Sequence, residues 1–113
     1  MKRVLSGAGG ILTVVVAILL VQYLDREREY RHLLTAGDEA LHGGDPYRAI
    51  ESLSGAVTLR PDSMVAYFRR AEAYRAQHRS DEAIRDLRMA SRLAPDATEP
   101  LVALGELAGD LLQ

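Results

Sequence analysis

The side chains best suited to chemistry are few and scattered: three histidines, two adjacent acidic pairs and a handful of serines. His32, His42 and His78 are far apart, with no i, i+4 pairing between them. With no cysteine in the chain to join them, they read as surface histidines rather than metal ligands. Asp38-Glu39 and Asp81-Glu82 are neighbours in sequence, and neighbours on a helix point apart, so neither pair makes an acid–base dyad. Ser52, Ser54, Ser80 and Ser91 have no His–Asp context and no nucleophile elbow. Gly7-Ala8-Gly9-Gly10 lies inside an apolar run and not after a strand, which excludes a phosphate-binding loop. Absence of Cys also removes disulfides, thiolate catalysis, iron–sulfur clusters and a lipoprotein anchor. The sequence therefore implies no enzyme, no cofactor and no metal.

What must then be explained is how the chain is organised. Its 113 residues suit one small domain with an anchor, and the net charge of −2 gives no reason to expect nucleic acid. Lys2 is the only lysine among 14 basic residues, a skew that fits GC-rich bacterial coding. Met1-Lys2-Arg3 precedes an uncharged stretch, Val4 to Leu24, closed by Asp25. As a helix this stretch would span roughly 30 Å, the hydrocarbon thickness of a bilayer. A cleaved signal peptide is the competing reading, but Val21-Gln22-Tyr23-Leu24 offers no small-x-small cleavage site. The expectation is an uncleaved transmembrane anchor at residues 1–25 and a short linker at 26–29. Tyr23 stands where an interfacial aromatic belongs. Lys2 and Arg3 on one side nearly balance Arg26, Arg28 and Arg31 on the other. The signal-like layout favours a cytoplasmic N-terminus, with the rest in the periplasm of a bacterial inner membrane. Ser6, Gly10, Thr13 and Ala17 fall on one stripe, narrow enough for close contact with another membrane helix.

A shift of 34 residues brings the rest of the chain into register with itself. Ala49, Ile50, Leu53, Ala56, Leu59, Pro61 and Asp62 return as Ala83, Ile84, Leu87, Ala90, Leu93, Pro95 and Asp96. Local signals divide each unit into two helices. Tyr30 to His42 and Met64 to Gln77 read as first helices; Pro46 to Leu59 and Asp81 to Leu93 read as second helices. Asp45 caps a helix with Pro46 at its first position, Gly43-Gly44 supplies positive φ at a stop, and Ser80 is placed to cap the later helix. Pro61 and Pro95 end the second helices. His78 stands where the first unit has Gly44, a strained site if φ is positive. Gly37, Ala71 and Gly105 recur at one repeat position and are expected to let paired helices approach closely. Thr98 to Leu112 gives one further helix, read as a cap with a polar outer face.

A 34-residue period with two helices per unit resembles the tetratricopeptide-repeat (TPR) family. Gly44-Asp45-Pro46-Tyr47-Arg48-Ala49-Ile50-Glu51 is similar to the family's turn and second-helix start, and Tyr67, Ala71 and Tyr74 to its first-helix positions. Leu33, Gly37 and Ala40 are a looser match. The resemblance covers roughly Tyr30 to Gln113. It implies an all-α chain: a single N-terminal transmembrane helix, then a short TPR helical solenoid over 30–113. Repeat 1 is 30–63, repeat 2 is 64–97, and a capping helix occupies 98–113. So short an array, with one Phe and no Trp, implies a marginal core that a partner helps to hold.

In the family the first helices line a concave groove. By that resemblance the partner groove would be Arg31, Leu34, Asp38 and Leu41 from the first unit, Val65, Phe68, Arg69, Glu72 and Arg75 from the second, and Val102 and Glu106 from the third. Asp38, Glu72 and Glu106 form an acidic row at steps of 34, with Leu34, Phe68 and Val102 an apolar row beside it. Together they suit an apolar segment carrying basic residues. The chaperone-type carboxylate clamp of the family is missing, since Leu34, Asp38, Arg69, Glu99 and Ala103 occupy its positions. The expected function is a non-catalytic, membrane-anchored interaction module, an accessory or structural subunit of a larger respiratory, photosynthetic or secretion complex. The alternative is a periplasmic assembly or chaperone-like factor that holds client segments in the groove. Its partners would be protein subunits and membrane lipid.

Overall fold

A computed structural model describes residues 2–112, with side chains from Gly7 onward. Among the described residues the chain is entirely helical: α1 (Lys2–His42), α2 (Pro46–Leu59), α3 (Met64–Ala76), α4 (Ser80–Leu93) and α5 (Glu99–Leu112). Each helix packs on the next, and α1 also touches α3 directly.

α1 is one unbroken helix of 41 residues. Residues 26–29, the expected linker, lie inside it. They are Arg-Glu-Arg-Glu, all good helix formers, and Glu27 pairs one turn on with Arg31 at 3.0 Å. The N-terminal half is bare: Ile11, Leu19 and Val21 are all more than half exposed. Among the described residues this is the one helix long and apolar enough to cross a membrane, a pattern a signal sequence shares. On its small-residue stripe, Gly10 has open space around it, Ala17 is exposed, and Thr13 Oγ1 donates back to the Gly9 carbonyl at 2.8 Å. The Ser6 side chain lies outside the described residues.

The C-terminal half of α1 enters the packed region. A Cβ built on Gly37 would sit 2.5 Å from Leu53 Cγ, so only glycine lets α2 come this close. Ala40, Ala49, Leu53 and Ala73 form the cluster there. Turn chemistry sets the helix ends. Gly44 takes φ +75° and His78, at the matching position, takes φ +59°. Asp45 caps α2, accepting from the Arg48 amide at 3.1 Å. Ser63 caps α3, accepting from the Ala66 amide, and its hydroxyl also meets the Tyr30 hydroxyl at 2.6 Å.

Three expectations about helix ends and faces need correction. Ser80 is the first residue of α4 rather than its cap, and Arg79 at the cap position makes no side-chain capping bond. Asp81 and Glu82 supply the favourable charge instead. The Glu82 carboxyl is held below its ordinary pKa, chiefly by a backbone amide and then by Arg79. Gly105 does not mediate close packing, because no atom lies within 4 Å of a Cβ built there. Nor is the outer face of α5 wholly polar: Leu101 and Leu112 are 56% and 89% exposed, while the exposed Glu106 and Asp110 reach across to Arg75.

Candidate partner groove

Three helices, α1, α3 and α5, share one side of the molecule. Between α3 and α5 lies a hollow of about 310 Å³, lined by Phe68, Ala71, Glu72, Arg75, Leu87, Thr98, Glu99, Val102, Ala103 and Glu106. A second hollow of about 270 Å³ between α1 and α3 is lined by Asp38, Leu41, His42, Arg69 and Glu72. A third, of about 210 Å³, joins Met64, Val65, Phe68, Arg69 and Glu99. The floor of the first is apolar because Ala71 and Leu87, buried in the cluster that also holds Leu107, close it from below. The rim is charged because the remaining faces of α3 and α5 carry acids and arginines at helical spacing.

Asp38, Leu41, Val65, Phe68, Arg69, Glu72, Arg75, Val102 and Glu106 therefore line this side together. Arg31 and Leu34 stand apart from it. Arg31 is exposed and binds Glu27 beside the anchor, and Leu34 packs under α2. The apolar row thus reduces to Phe68 and Val102.

The acidic row is not free. Arg69 stands 3.4 Å from both Asp38 and Glu72. Its contact with Asp38 lacks hydrogen-bond geometry, which leaves Asp38 Oδ1 and Arg69 Nε shut from solvent and unbonded. Arg75 reaches Glu106 at 3.1 Å and Asp110 at 3.0 Å. Those two bonds, Asp110 first, raise the pKa of Arg75 further above its ordinary value. Two arginines face five carboxylates along this side, counting Glu99 and Asp110 with the row, so an excess of three negative charges remains. Glu99 lines two of the three hollows; the sequence placed it at a position of the missing carboxylate clamp but not among the expected partner contacts. Its signal was the opening turn of a helix just after Pro95 and before Pro100.

Among the described residues no three His, Asp or Glu side chains could jointly hold a metal ion. Comparison with protein-family models and with curated proteins gives no match.

Proposed function

We propose that the chain is a non-catalytic, membrane-anchored protein-interaction module of the tetratricopeptide-repeat type. In this reading α1 to α4 form two helix-pair repeats and α5 caps them. The apolar half of α1 crosses a bacterial inner membrane with the repeats on the periplasmic side. The module serves as an accessory subunit of a larger membrane complex. The observation that carries the reading is the α3–α5 hollow: Phe68 and Val102 offer an apolar seat, and the excess of carboxylates over arginines along this side favours a segment with basic side chains. Support for the anchor comes from the bare apolar half of α1. The unbroken α1 would hold the groove at a fixed distance from the bilayer.

Purification of the full chain from membranes in mild detergent, followed by mass spectrometry, tests this. Native protein should bring down stoichiometric partner subunits. Val102→Glu, which fills the hollow with charge, should lose them while staying in the alkali-washed membrane pellet. Equal recovery from both proteins would refute the groove, and release by alkali would refute the anchor.

A further inference from the structure

The side of the molecule away from the groove carries the opposite charge. Arg85, Arg88 and Arg92 lie on one stripe of α4 at i, i+3 and i+7, all exposed. Among the described residues none has an ion-pair partner, whereas every arginine of the groove does. Beside them is a hollow of about 440 Å³ that also takes in Tyr67, Tyr74, Met89 and Arg70. Its two carboxylates are already engaged: Asp86 holds Arg70 through bonds of 2.7 and 2.8 Å, and Glu82 accepts from Arg79 at 2.9 Å. Four guanidiniums to two carboxylates leaves a net charge of +2 in a chain whose total is −2.

The fold does not require these arginines. Packing of α4 rests on Ala83, Leu87 and Ala90; on α2, where the matching Ala49, Leu53 and Ala56 are buried, the positions 34 residues before the arginines are Glu51, Ser54 and Thr58. The stripe is about 10 Å long, and two tyrosine rings flank Arg70 at 5.6 and 5.7 Å. Guanidinium forks match carboxylates in bidentate geometry, and tyrosines give flat apolar contact beside them.

We propose that this face of α4 is a second docking surface, for a protein segment whose carboxylates repeat at helical spacing. With the groove on the other side, the module would bridge two partners of opposite charge. A protein fits better than a lipid surface. Helices α2 and α4 end beside the start of α3, as the Tyr30–Ser63 contact shows for the first turn, and that end of the domain faces the membrane. Around it the sequence carries Asp25, Glu27, Glu29, Asp62, Asp96 and Glu99 against Arg26, Arg28, Arg31 and Arg60, a balance of −2 that offers anionic headgroups no net attraction.

The test uses the full chain in phosphatidylcholine nanodiscs. The probes are a fluorescent helical peptide with Glu at i, i+3 and i+7, its Gln counterpart, and separate phosphatidylglycerol vesicles. The Glu peptide should bind at least about tenfold more tightly than the Gln peptide and weaken with salt. The triple variant R85Q/R88Q/R92Q should lose that difference with its melting curve unchanged, and the triple Lys variant should recover only part of it. Equal binding of the two peptides, a triple Gln variant that still discriminates, or arginine-dependent capture of vesicles without peptide binding would each overturn the proposal.

Discussion

The two helix pairs, α1 with α2 and α3 with α4, occupy the same register 34 residues apart, yet different physics closes them. In the first pair, Gly37 has no side chain and Leu53 fills its place; the equivalents of Arg70 and Asp86 are Ala36 and Ser52. In the second pair Ala71 replaces the glycine, and a bidentate Arg70–Asp86 pair, with Asp86 only 5% exposed, joins the helices. Its hydrogen bonds raise the pKa of Arg70 against the opposing effect of burial. One repeat scaffold therefore accepts either close backbone approach or a buried ion pair. The third occurrence, α5, uses neither, because Gly105 faces open space.

The largest effect should come from breaking the ion pair. Asp86→Ala leaves a half-buried guanidinium uncompensated and should cost about 3 kcal/mol. Ser52→Ala, the same position in the first pair, should stay within about 0.5 kcal/mol. Thermal melts of the full chain in detergent would separate the two by on the order of 10 °C or more for a domain of this size. Equal shifts would show that the pairs are not closed differently.

Next in size is one substitution made at one repeat position in two contexts. Gly37→Ala drives a methyl into Leu53 and should destabilise by about 1–3 kcal/mol. Gly105→Ala meets nothing and should stabilise by up to about 1 kcal/mol through helix propensity. Opposite signs in the same melt assay are the expected result; the same sign would mean the α1–α2 approach is not as close as described.

The smallest effect concerns the two turns. His78 holds φ +59° where Gly44 holds +75°, and a side chain in that region costs roughly 1 kcal/mol. His78→Gly should therefore raise stability by about that amount, and Gly44→Ala should lower it similarly.

Much of this was legible in the sequence, for reasons tied to particular residues. Proline and glycine fix backbone geometry locally, so Pro46, Pro61, Pro95 and Gly44 located four helix ends. The 34-residue self-match paired Leu53 with Leu87, and both are buried in the core. What stayed hidden depends on through-space neighbours. The acidic row looked free because Arg69 and Arg75 lie on another helix from most of their partners. Leu34 matched Phe68 in register but faces α2 packing. Ser80 looked like a cap because its type is right, although the chain enters the helix one residue earlier. An unbroken α1 was missed because charged residues after an apolar run read as a boundary, while their helix propensity continues through it.

The central claim is that the α3–α5 side, and not merely any exposed surface, holds a protein partner at the membrane. A photo-crosslinking amino acid placed at Val102, compared with one at Tyr47, which is 76% exposed and lines none of the groove hollows, tests it in intact cells. A discrete adduct of one higher mass is expected from position 102 in the membrane fraction, and none of that mass from position 47. Adducts of the same pattern from both positions, or none from 102 with the protein present in the membrane, would contradict it.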